Sequence, residues 1–354
     1  MIKIRLPFMI LAIINLLIGM LAGLIRMGWN ISLGSVATHH GTMMVGGFLG
    51  TLILLEKVIP LRKNLLYVFP VINALGLVII VPGFYWLGSL FLVIGAAGLM
   101  IVFLLYYENQ PKDLSLMLMI IGACCLIIGH VMLITKQFYP MAFPWWLGFI
   151  LFVIIGERIE LSKFLPVTKQ HKIMLVSFMS LFLIGLCLPF HGIGKYISGT
   201  ALAMIAIWLM RHDVISIALK KDGFTRFSGT ALLIGYISLL FTGLFLISLP
   251  DIPFAYDAIV HTFFLGFAFS MIFAHGPIIL PGVLGFNVKP YHPLLYLPLT
   301  TLVLSLVLRL LGDIYVIPLA VRLWSGWISV SSILLYFMLL ITFTIRNARY
   351  AKTV

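Results

Sequence analysis

Apolar stretches long enough to cross a bilayer recur along the whole chain, broken only by short clusters of proline, glycine and charge. A helix needs ~20 mostly apolar residues to span the hydrocarbon core, and in lipid its backbone must satisfy its own hydrogen bonds. Hydropathy and breakers together predict about twelve spans, at residues 6–26, 38–59, 65–82, 85–106, 114–134, 143–161, 172–190, 195–211, 227–249, 254–276, 292–311 and 319–345. With 62% hydrophobic and 9% charged residues and a mean hydropathy of +1.19, no soluble domain fits between them. The expectation is an all-α polytopic membrane bundle forming a single transmembrane domain, residues 1–354, whose main partner is the lipid bilayer. The first run follows Lys3 and Arg5 with no small-residue cleavage site and reads as a retained helix. The net charge of +13 falls between the spans, so it is no nucleic-acid footprint. Cys124, Cys125 and Cys187 all lie in apolar segments and suggest neither a disulfide framework nor a zinc site.

The basic residues orient the bundle. With both termini cytoplasmic, the outer side of a plasma membrane keeps only Arg26, Lys136, Lys195, Arg309 and Arg322 of the 23 lysines and arginines. An odd number of spans would destroy that asymmetry. The orientation gives each histidine a depth. His39 and His40 lie just inside the outer end of span two, His130 near the outer end of span five, and His261 about two turns into span ten from the same side. His191 falls in an outer loop, His171, His212 and His292 in solvated inner connections, and His275 near the inner end of span ten.

Membrane histidines often bond a carbonyl across a helix interface. The helical period also puts His40, Met44 and Gly47 on one face, and His261, Leu265 and Ala268 on another. Each face offers an imidazole, an apolar wall and a small residue, which would suit a porphyrin as well as close helix packing.

The H-x-x-x-M pattern of His40 and Met44, followed by G-G-F and an apolar run to Pro60, resembles the second helix of heme-copper oxidase subunit I. The stretch H-T-F-F-L-G-F-A-F-S-M from His261 resembles the tenth helix of that family. The resemblance implies a bis-histidine low-spin heme b held by His40 and His261, with Arg26, Arg309 and Arg322 placed to touch heme substituents. It departs at the copper centre: span six has no histidine, and Ile259 stands where a second histidine of the tenth helix would be. The segment from His261 to Gly282 is most similar to the NnrS family, compact relatives bearing heme and copper and associated with nitric oxide stress. That likeness implies an electron-transfer or gas-related redox role with a redox partner or small gas ligand, and a membrane oxidoreductase activity. Copper would draw on a second site among His130, His39 and His275.

His275 lies roughly 21 Å along the axis from His261, too far to share a metal. It reads as a helix-end histidine capping carbonyls before Pro277 breaks the helix, with a second inner metal or proton relay as the alternative. Glu56 and Glu157 read as inner-interface partners of Lys57, Arg158 or Lys163. Two further function classes stay open: a secondary transporter or channel using intramembrane histidines without heme, and an inert assembly partner.

Overall fold

The computed structural model describes residues 2–32, 34–161, 168–315 and 318–353, and every regular element among them is helical. We label the long helices α1 (Ile2–Met27), α2 (Val36–Leu61), α3 (Asn64–Ile80), α4 (Tyr85–Asn109), α5 (Leu114–Lys136) and α6 (Tyr139–Leu161). The rest are α7 (Lys169–Cys187), α8 (Phe190–His212), α9 (Gly223–Ser248), α10 (Ala255–Leu284), α11 (Pro293–Ile314) and α12 (Leu319–Thr353). Eleven are long and apolar enough to cross a membrane, and α3 is a shorter apolar helix. The chain is a multi-pass membrane protein. Large apolar side chains such as Ile278, Leu304 and Met338 stay more than half exposed on helix flanks, as lipid-facing positions must. The connection after α8 holds a single helical turn, Ile215–Ala218.

Contacts group the chain into two compact units: residues 1–160 with 283–285, and residues 161–282 with 286–354. In the first unit the middle of α2 opens into a π-helical stretch, Met43–Gly50. Such a stretch re-aims carbonyls away from their usual partners. Here neighbouring amides catch them. The buried Asn73 of α3 donates from Nδ2 to Gly46 O at 2.7 Å and to Thr51 Oγ1 at 2.9 Å, and Asn15 of α1 reaches Gly47 O at 3.5 Å. The predicted face of α2 turns toward α1. His40 packs on Gly19 and Gly23, Met44 on Gly19, and Gly47 beside Asn15. A Cβ at Gly47 would also run into the end of the Leu77 side chain, which fills the space that this glycine leaves open.

At the far end of α2, Lys57 Nζ sits between Glu56 at 3.0 Å and Glu157 at 2.7 Å, the pairing expected of those carboxylates. Tyr106 covers it from α4, donating to Lys57 O at 2.9 Å. Lys163, offered as another partner, lies outside the described residues.

In the second unit α10 also changes pitch, α-helical to His261, π-helical over Thr262–Ala268, and α-helical again to Leu284. The sequence expectation that Pro277 ends this helix is wrong, because the helix runs through both Pro277 and Pro281. A proline removes the N–H that would bond the carbonyl four residues back, here Phe273 O. The Tyr336 hydroxyl of α12 supplies the missing donor at 2.9 Å, and its ring stacks on Phe273 at 3.7 Å. Gly276 makes room for that hydroxyl. Tyr336→Phe should orphan a buried carbonyl and lower stability by about 1 kcal/mol. Thermal unfolding in detergent checks this, and an unchanged midpoint would show that the proline is tolerated without help. Hydroxyls tie α11 to α12 through Ser305 and Ser329 at 2.7 Å and Ser332 and Thr301 at 2.8 Å.

Candidate functional site

Four histidines of the sequence reading lie in buried or half-buried positions near helix ends, and their surroundings differ. His40 begins the α-helical turn that leads into the π stretch of α2. Its Nδ1 stands 2.7 Å from Gly19 O. A carbonyl only accepts, so Nδ1 carries the proton, and in the neutral ring Nε2 bears the lone pair. Gly23 contributes by absence, because a Cβ there would press on the imidazole. His39, one residue earlier, turns the other way and lies against Tyr85, ring centroids 4.7 Å apart. Its buried Nε2 has no hydrogen-bond partner.

His130 of α5 is 2% exposed, with its ring in the space that Gly46 leaves on α2. It meets the Trp146 ring edge-on at 5.8 Å, and neither His130 Nε2 nor Trp146 Nε1 has a hydrogen-bond partner. Close by, Tyr139 OH and Thr42 Oγ1 are 2.7 Å apart. Among the described residues, no three histidine, cysteine, aspartate or glutamate side chains gather as a metal-binding set.

His261 closes the first α-helical segment of α10, and the π stretch begins at the next residue. Its Nδ1 stands 3.0 Å from Asp257 O and 3.3 Å from Asp257 Oδ1. Asp257, in the first turn of α10, is the hub of a charge cluster. Arg309 of α11 grips it bidentately, Nε to Oδ2 at 2.8 Å and Nη2 to Oδ1 at 3.0 Å. Arg322 of α12 reaches Asp257 Oδ2 at 3.3 Å and donates from Nε to Asp313 Oδ1 at 2.6 Å. Its guanidinium carbon lies 4.0 Å from the centroid of the Phe254 ring. Arg309, Arg322 and Asp313 are 5%, 7% and 4% exposed, so these charges have little water to lean on and depend on one another.

The chain thus brings His261, Arg309 and Arg322 together through Asp257. Two carboxylates of its own occupy the arginines that the resemblance assigned to heme substituents. Asp257 and Asp313 escaped the sequence reading. The first was visible as D-x-x-x-H, four residues before His261 on the same helix, a spacing that lets side chains meet. Arg26 is exposed near the end of α1. His275 stands apart on α10, with Nδ1 2.8 Å from Met271 O inside its own helix. His191 is exposed in a distorted turn at the start of α8. His171 and His212, expected in solvated connections, lie in the first turn of α7 and at the last residue of α8, and their rings stack at 4.0 Å.

Fold and site together define a multi-pass helical membrane protein with polar clusters built at its helix ends. Residues 5–345 match the model of a domain of unknown function, DUF8744, and the chain belongs to that family. No curated protein and no solved structure matches it.

Proposed function

We propose that this chain is a heme-binding integral membrane protein with a fold related to heme-copper oxidase subunit I, holding a low-spin heme b between the imidazoles of His40 and His261. One observation carries the reading. Both rings engage a carbonyl through Nδ1, which, as in His275, fixes the tautomer that a ligating histidine uses. Both also border π-helical stretches, distortions that concentrate at functional sites. The residues fit axial ligation in each unit taken by itself. The fit to propionates is poorer, because Asp257 and Asp313 already neutralise Arg309 and Arg322.

A bound heme would supply one-electron redox chemistry, and ligation on both faces favours electron transfer over gas binding unless one histidine leaves. The role is electron transfer or redox chemistry involving a diatomic gas such as nitric oxide or oxygen, with a redox partner, at the plasma membrane. The NnrS-like assignment extends this to an oxidoreductase, with copper at His130, whose buried Nε2 lacks a protein partner. A secondary transporter or channel is the reading that the buried Asp257, Arg309, Arg322 and Asp313 cluster favours.

An absorption spectrum of purified protein decides between them. A Soret band with sharp reduced α and β bands is expected, and a colourless preparation from heme-replete cells would sink the heme reading. The proposed orientation of the chain has its own check. Reporter fusions should find both termini cytoplasmic, and an external C-terminus would overturn it.

A further inference from the structure

Resting on the heme reading, we propose that Asp257 is a positioning residue that aims His261 and makes its imidazole a stronger donor to ferric iron than a carbonyl-held histidine would be. The two rings differ in what holds Nδ1. His40 meets a neutral carbonyl, Gly19 O at 2.7 Å. His261 meets the carbonyl of Asp257 at 3.0 Å and, in addition, its carboxylate at 3.3 Å. A carboxylate behind a ligating imidazole pulls on the Nδ1 proton and shifts electron density toward Nε2, which raises the basicity of the ligand. The more basic ligand favours the higher oxidation state of the metal.

The placement of the carboxylate is itself enforced. Arg309 holds both of its oxygens at 2.8 and 3.0 Å, and Arg322 holds Oδ2 at 3.3 Å. Asp313 in turn fixes Arg322 at 2.6 Å. The charged groups gathered about the Asp257 carboxylate are therefore His261 on its own helix, Arg309 from α11 and Arg322 from α12, with Asp313 of α11 behind Arg322. These arginines take a supporting role that differs from touching heme substituents: they hold the carboxylate that holds the histidine. The contact with the carboxylate is intrahelical, four residues apart, so it forms with α10 itself.

Redox titration of the purified holoprotein tests this, with the midpoint potential as the readout. In Asp257→Asn the amide oxygen can still accept from Nδ1 while the charge is gone, so the low-spin spectrum should persist. The ferric-to-ferrous preference should fall at least tenfold, a rise of about 59 mV for a one-electron couple. Asp257→Ala should raise the potential as well, since the backbone carbonyl of residue 257 still accepts from Nδ1. Because Asp257→Asn leaves Arg309 without its partner, the double variant Asp257→Asn with Arg309→Gln is measured alongside. If the carboxylate acts through His261, the potential stays raised in the double variant. If only the net charge matters, the two changes cancel and the wild-type potential returns, which overturns the proposal. An unchanged potential in Asp257→Asn overturns it as well. Failure of the parent reading looks different, since the wild-type protein would then carry no heme to titrate.

Discussion

His40→Ala and His261→Ala are each expected to lose the heme or convert it to a five-coordinate, high-spin form, while His39→Ala keeps the low-spin spectrum. Neighbouring helical residues point about 100° apart, so one helix cannot aim both imidazoles at the same iron. The surroundings of the two rings separate them further. His40 lies on the bare backbone of α1 at Gly19 and Gly23, with its tautomer set by a carbonyl. His39 leans on the aromatic ring of Tyr85. Gly23→Ala should mimic part of the His40 defect, because the new methyl would press on the imidazole and the ring would have to move. Spectra of the four variants check the set. A low-spin spectrum that survives His40→Ala and vanishes in His39→Ala would put the ligand one residue earlier, and indifference to all four would reduce the pair to helix packing.

Arg309→Leu is expected to destabilise the protein by about 3–5 kcal/mol, the range found when one partner of a buried ion pair is removed. Asp257 would keep a weaker contact to Arg322 and lose its bidentate grip. Arg322→Leu should be as damaging, since it strands Asp313, whose side chain is fully buried and whose Oδ2 already lacks a hydrogen-bond partner. Arg26→Leu provides the contrast, because Arg26 is exposed and its loss should change stability by less than about 0.5 kcal/mol. Equilibrium unfolding in detergent measures all three, and Arg309→Leu within 0.5 kcal/mol of wild type (about the scatter of surface substitutions) would mean that the cluster is not a structural unit.

What the sequence disclosed follows the range of the forces involved. Lipid demands long apolar helices with self-satisfied backbones, so the eleven long spans and the shorter α3 could be read from hydropathy, and the face of His40, Met44 and Gly47 followed from helical period. The π stretches were hidden, since a local widening of the helix leaves no mark in a 3.6-residue pattern and is held by Asn73 and Asn15 on other helices. Pro277 misled for a related reason. The rule that proline ends a helix assumes that nothing rescues the freed carbonyl, and Tyr336, far along the chain, does so. The cluster was half legible. Arg309 and Arg322 stood out as cations on the depleted side, but their partner Asp257 is two helices before Arg322, and no local pattern announces such a pairing.

The charge cluster also bears on how the chain is made. Placing a single arginine or aspartate at the centre of a membrane helix costs about 2.5–3.5 kcal/mol during insertion, less toward the ends. Arg309 and Asp313 ride on α11 and Arg322 on α12, whereas the carboxylate that joins them emerges earlier, on α10. Arg309 and Asp313 offset each other in net charge on α11, whereas Asp257 on α10 and Arg322 on α12 each bring a single sign to the pairing. The cluster is therefore complete only once α11 and α12 have joined α10 in the membrane, which makes their packing a late event in assembly of this unit.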